Sequence, residues 1–129
     1  MVSCIFKVND DLRQDILALQ IIKLFQKIFK KHDLDLFVAP YKCIANRTGD
    51  DKLLGGIVEC VPFSSSRDQL GKAFEIDLYQ YFLKRYGAES TAEFKLARLN
   101  FIKSLSAYSV VSYILQIKDR HNGNILMDD

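Results

Sequence analysis

Residues 2–8 (VSCIFKV) are β-branched and aromatic and predict a strand. Asn9, Asp10 and Asp11 follow as a turn and helix-capping cluster. Leu17, Ile21, Leu24, Phe25 and Ile28 then recur at helical spacing, predicting a helix over about Leu12–Lys31. Leu12, Ile16, Leu19 and Ile22 widen the apolar stripe, so this helix is expected to be covered on more than one side. Asp33–Tyr41 (DLDLFVAPY) alternates at first and predicts a strand ending near Pro40, which Lys42–Arg47 extends. Thr48-Gly49-Asp50-Asp51 is a turn signal. Leu54–Val61 (LGGIVECV) predicts another strand, stopped by Pro62.

Phe63-Ser64-Ser65-Ser66 is a short polar connector and the best boundary between two sub-structures. Helical patterns follow it, a short one from about Arg67 and a clearer one over Asp77–Tyr86. Ser90-Thr91-Ala92-Glu93 has the form of a capping box, opening a long helix to about Gln116. The second half of that helix (Leu105, Ala107, Tyr108, Val110, Val111, Tyr113, Ile114, Leu115) is apolar nearly all round, as expected of a helix at the centre of a helical lobe. A polar loop, Lys118–Asn124, leads to a strand-like Ile125-Leu126-Met127 and a turn at Asp128-Asp129. There is no internal repeat or low-complexity tract. The predicted fold class is α+β: a β-rich lobe over 1–61, a hinge, and an α-rich lobe over 62–129.

Composition changes this picture little. The chain has 129 residues, 49% hydrophobic and 26% charged, an ordinary globular balance for one small domain. A net charge of +2 gives no basis for a nucleic-acid partner. Lys27, Lys30, Lys31 and His32 cluster at a helix end, where cations complement the helix dipole. Cys4, Cys43 and Cys60 match no zinc spacing and read as small core residues in a reducing compartment. With charged residues from Lys7 onward no signal peptide is expected, and the apolar run Val110–Leu115 is too short to span a bilayer. The expectation is a cytoplasmic chain whose membrane contact is peripheral. The Tyr79, Tyr81, Phe82 and Tyr86 group is expected in the core.

Three segments suggest chemistry. The strongest is the loop Asp119–Asn124 (DRHNGN) directly after the apolar helix. Phosphoryl transfer needs a group that orients the acceptor hydroxyl and oxygen ligands for magnesium, and D-x-x-x-x-N supplies both. Asp119 and Asn124 have that spacing, with Arg120 and His121 between them. Asp, Asn and Gly are common in any turn, so the spacing alone would not decide it; the whole run after an apolar helix does. The second is Lys7, late in a strand, with Asp15 early in the next helix, where an ion pair can hold a lysine against ATP phosphates. Taken alone these are equally two surface charges. The third is Val58-Glu59-Cys60-Val61 before Pro62, a strand leading into a hinge whose backbone could pair with adenine, and equally an ordinary strand end.

FKVNDDLRQDILALQII, LDLFVAPY, GGIVECVP, SRDQLG and QIKDRHNGNI together resemble the phosphatidylinositol 3-/4-kinase superfamily, nearly end to end. The Asp-Arg-His order reverses the His-Arg-Asp of protein kinases, and Lys118 before it is similar to the 4-kinases, where the 3-kinases and the giant protein kinases usually have Gly. VECVP, SRDQLG and YFLKRYGAEST lean to the type III alpha group. The resemblance implies a two-lobed, protein-kinase-like catalytic domain with ATP and Mg2+ as cofactors and phosphatidylinositol in membranes as substrate. It implies that Lys7 contacts the ATP phosphates with Asp15 orienting it, and that Tyr41 and Val58 line the adenine pocket. The backbones of Glu59 and Val61 would meet adenine, Asp119 and His121 would serve the attacking hydroxyl, and Asn124 would ligate magnesium. The family's phosphate-covering loop and its Asp-Phe-Gly segment lie outside this stretch. The chain is therefore expected to be an incomplete domain, inactive and marginally stable alone, working with regulatory regions of a longer kinase. The alternatives are a non-catalytic remnant that binds or dimerises, and a fragment of a related protein kinase.

Overall fold

The computed structural model describes residues 3–48 and 53–128 of an α+β chain. In order, its elements are β1 (Cys4–Val8), α1 (Arg13–Lys31), β2 (Cys43–Thr48), β3 (Leu53–Glu59), β4 (Ser64–Ser66), α2 (Arg67–Phe74), α3 (Leu78–Tyr86), α4 (Ala92–Leu115), a 3-10 turn (Asn122–Asn124) and β5 (Leu126–Asp128). They form two compact units, Met1–Leu34 with Val38–Pro62, and Asp35–Phe37 with Phe63–Asp129. Most of the turn predicted at Thr48–Asp51 lies outside the described residues.

The first unit is an antiparallel sheet in the order β1-β3-β2 with α1 packed on β2. Two buried glycines let its central strand close on both neighbours. A Cβ on Gly55 would lie 2.4 Å from the Lys7 carbonyl oxygen. One on Gly56 would lie 2.0 Å from the Ile44 carbonyl oxygen and 2.8 Å from Leu12 Cδ1. Leu12, only 3% exposed, occupies the space that a side chain at 56 would need. The start of α1 is fixed by Asp11, whose carboxylate accepts from the Arg13 backbone N–H at 3.1 Å and from its guanidinium at 2.6–3.0 Å. The Arg13 side chain, then its backbone N–H, hold the Asp11 pKa at about 2.

The stripe on α1 is covered on one side only. Ile22 and Phe29 are buried, whereas Leu17, Leu24 and Ile28 are exposed. The expected strand at Asp33–Tyr41 is not formed. Leu34 N–H donates to the Phe29 carbonyl at 2.9 Å, and the Val38 carbonyl accepts from Gln26 Nε2 at 3.0 Å. The Leu34 N–H and the Val38 carbonyl are thus engaged by α1, and Val38, 1% exposed, is the anchor. Its alternating Leu34, Leu36 and Val38 imitate a strand, but of the three only Val38 is buried and Leu34 is exposed.

In the second unit the polar connector proves to be a strand. Ser64, Ser65 and Ser66 pair antiparallel with Asp128, Met127 and Leu126. Ser66 also caps α2 through a reciprocal box with Gln69 (3.1 and 2.8 Å), and Asp77 does the same for α3 with Gln80 (2.7 and 3.4 Å). The box expected at Ser90–Glu93 is replaced by a single cap one residue later, because Phe94 at the third helical position has no group to return the bond. Thr91 Oγ1 accepts from Phe94 N–H at 3.2 Å and donates to the Ala88 carbonyl at 2.7 Å. The core gathers Tyr81, Phe82 and Phe94, with Phe101 edge-on to Phe82 at 5.7 Å between ring centroids. Tyr79 instead stands at the surface, where its hydroxyl donates to Glu89.

The long helix departs from expectation. Ala107 and Val111, one turn apart, are fully buried, but Leu105, Val110, Tyr113 and Ile114 are at least half exposed. Within the described residues α4 has neighbours along one face only. No described helix is long and apolar enough to cross a membrane.

Replacing Gly56 with Ala should destabilise the chain by about 1–3 kcal/mol or more in chemical denaturation, because backbone must move to admit the methyl group. Gly71→Ala, in α2, meets only the end of the Arg67 side chain at 3.3 Å. It should be neutral or stabilise by up to about 1 kcal/mol through helix propensity. Asp11 should titrate near 2 in carboxyl NMR, against an ordinary value of 3.8. Since the folded pKa is the lower, the pair's contribution is present above 3.8 and is lost as pH falls through about 2. Arg13→Ala should return the titration towards the ordinary range.

Candidate active site

The loop after α4 is shaped by its own side chains. The helix ends at Gln116, which is left-handed (φ 53°), with Ile117 N–H closing on the Ser112 carbonyl at 3.0 Å. Asp119 is left-handed too (φ 58°), a conformation Asp tolerates better than most residues. Asn124 Nδ2 then donates to the Asp119 carbonyl at 2.9 Å and to its Oδ2 at 3.2 Å. The D-x-x-x-x-N spacing is therefore the spacing at which the amide closes the loop. Asn124 N–H donates to the His121 carbonyl at 2.9 Å, and Gly123 N–H to His121 Nδ1 at 3.0 Å. With Nδ1 accepting, the neutral imidazole carries its proton on Nε2. That nitrogen lies 3.8 Å from Asp119 Oδ1.

Arg120 holds the loop's ends. Its Nε donates to the Lys118 carbonyl at 2.9 Å and its Nη1 to the Asn124 carbonyl at 3.2 Å. From outside, Arg67 N–H donates to the Ile125 carbonyl at 2.9 Å, and both α2 and β4 contact the 3-10 turn.

The chemistry available here is that of exposed oxygens and one imidazole. Because the Asn124 amide nitrogen faces Asp119, its Oδ1 is oriented as a hard oxygen donor, and Asp119 keeps Oδ1 outside that bond. Magnesium retains several waters and needs few protein oxygens, so this donor set fits it. No cluster of three or more His, Cys, Asp or Glu suited to a metal occurs among the described residues.

The first unit holds the remaining expected site residues. Lys7 lies opposite Gly56 in the β1–β3 register, and its ammonium pairs with Asp10 Oδ2 at 3.3 Å rather than with Asp15. The left-handed Asn9 (φ 57°) turns the chain, and Asp10 N–H is fixed on the Leu54 carbonyl at 3.1 Å, which brings its carboxylate back beside Lys7. Asp15 instead lies near Cys43, whose thiol pKa is raised first by burial and then by that carboxylate. Tyr41 lies in the irregular segment before β2. Val58 and Glu59 end β3, and Val61 follows. Glu59 N–H donates to the Lys42 carbonyl at 2.9 Å, and Lys42 N–H donates to Glu59 Oε2 at 2.8 Å.

The structure thus gathers Asp119, His121 and Asn124, and adds Arg120 as their brace. It groups Lys7 with Asp10 and Asp15 with Cys43. Asp10 is one of two adjacent aspartates that signal a turn equally well, so its pairing left no separate mark. The brace of Arg120 runs to carbonyls, which every residue has.

A family model described as phosphatidylinositol 3- and 4-kinase matches residues 1–74 and 59–129. The chain belongs to that family of kinases. Within it, the chain is 52% identical over 127 residues to phosphatidylinositol 4-kinase STT4 of Saccharomyces cerevisiae, covering 98% of this chain and 6% of that protein. Phosphatidylinositol 4-kinase alpha 1 of Arabidopsis thaliana is 46% identical over 98% of this chain and 6% of its own length. Phosphatidylinositol 4-kinase beta of Xenopus laevis is 41% identical over 99% of this chain and 15% of its own. The chain therefore spans a small part of the relatives it matches.

A Cβ on Gly123 would stand 2.9 Å from His121 Cε1 and 3.1 Å from Nδ1. Long-range 1H–15N spectra should show His121 as the Nε2–H tautomer in the neutral form. Gly123→Ala should push the ring away and mix the tautomers; an unchanged ring spectrum would contradict the Gly123–His121 bond.

Proposed function

We propose that this chain is part of the catalytic domain of a 1-phosphatidylinositol 4-kinase, which transfers the ATP γ-phosphate to the 4-hydroxyl of phosphatidylinositol. The observation that supports it most is the closed Asp119–Asn124 loop in a chain of this family. It presents a carboxylate oxygen, an imidazole and an amide oxygen together. Asp119 accepts from and orients the attacking hydroxyl. His121, carrying its proton on Nε2 in the neutral form, donates to oxygen at the phosphoryl group. Asn124 Oδ1 holds the magnesium ion, which when bound neutralises charge on the phosphates.

In this reading residues 1–61 belong to the nucleotide-binding lobe and 62–129 to the catalytic lobe. Lys7, held at the sheet by Asp10, meets the ATP phosphates, and Asp15 stands in the first turn of α1. Tyr41 and Val58 line the adenine pocket. With the Glu59 N–H engaged by Lys42, the backbone contacts to adenine fall to the Glu59 carbonyl and to Val61. The protein acts at the cytosolic face of a membrane as a peripheral enzyme, under control of regulatory regions of a longer kinase.

The test is a form of this chain extended in both directions to a whole kinase domain, assayed with ATP, magnesium and phosphatidylinositol vesicles. The expected product is phosphatidylinositol 4-phosphate. Asp119→Ala should lower the rate by roughly 10²–10⁴-fold, the usual worth of a positioned proton acceptor. An extended form that is silent on the lipid, or an Asp119→Ala form as active as its parent, would overturn the assignment.

A further inference from the structure

We infer that Arg120 is the positioning residue of this site: its planar guanidinium sets the separation of the Lys118 and Asn124 carbonyls and thereby aims Asp119 and Asn124. This rests on the function proposed above. The two bonds span the loop from its first residue to its last, Nε to Lys118 at 2.9 Å and Nη1 to Asn124 at 3.2 Å. Between those anchors Asp119 is left-handed and would relax towards commoner backbone angles if the ends could part. The Asn124 carbonyl taken by Arg120 belongs to the residue whose side-chain amide closes on Asp119. Fixing that carbonyl fixes the rotation of the Asn124 backbone, and with it the direction of Oδ1. One planar fork with two donors at a set separation does this; an ammonium offers a point charge on a flexible stem and cannot hold both carbonyls at fixed geometry. The side chain touches neither the carboxylate of Asp119 nor the ring of His121 through any described hydrogen bond, so its part is indirect.

Arg120→Lys keeps the charge and removes the fork. In the extended kinase it should lower kcat by roughly 10–100-fold, the range expected for misplacing a reacting group by about an ångström. KM for ATP should move by less than about threefold, because the nucleotide is held mainly by other residues, and loss of an interaction made only in the transition state appears in kcat. The midpoint of thermal unfolding should stay near that of the parent. In Arg120→Ala, added guanidinium at millimolar concentration should restore part of kcat, and methylammonium should restore none. A fully active Arg120→Lys form overturns the inference, as does a loss that follows unfolding and is not rescued.

A parent that makes no phosphatidylinositol 4-phosphate defeats the functional reading and leaves the brace to be judged by NMR on the same protein. There Arg120→Lys should move the Asn124 side-chain amide resonances to those of a free amide. Unchanged Asn124 resonances would show that the loop does not need the fork.

Discussion

Three serines of β4 lie antiparallel to the three residues of β5, and the next N–H along, that of Arg67, closes on the Ile125 carbonyl. This short ladder joins the start of the second unit to the stretch just after the Lys118–Asn124 loop. Ser66 is shared between the ladder and the cap of α2, so strand pairing and helix initiation depend on one residue. The loop is thereby held between two fixed points, the end of α4 at Gln116 and the β5 strand. Its interior can then be exposed and polar without being loose, because its backbone groups are met by its own side chains.

The first unit meets a different demand. Its sheet is closed by removing side chains: Gly55 and Gly56 let Lys7, Ile44 and Leu12 approach the central strand. Lys7 sits opposite Gly56 in the register, and it is the missing side chain of Gly55 that leaves room for its carbonyl. Asp10 then holds its ammonium from a turn whose N–H is also bound to β3.

The helices were legible because period and capping residues speak locally. The extent of α1, the span of α3 and the end of α4 at Gln116 follow from the order of residues. The serine strand was not, because three small polar residues have no period and their pairing is decided by a segment far along the chain. Asp33–Tyr41 misleads for the opposite reason: it has the period, but the Phe29 carbonyl takes its Leu34 N–H and the Gln26 amide takes its Val38 carbonyl. The apolar character of α4 was legible, and the single face it buries was not, since burial depends on which neighbours surround it. At the site, Asp119, His121 and Asn124 stand out through residue type and spacing. Arg120 and Asp10 act through ordinary backbone and carboxylate contacts that leave no pattern.

Every hydrogen bond that shapes the interior of the Lys118–Asn124 loop joins residues no more than five apart. Such a loop can be inherited as a single cassette. Its hydrogen-bonded geometry is written in contiguous letters, so changes elsewhere in the chain reach it through its two ends and through the packing of α2 and β4 on the 3-10 turn.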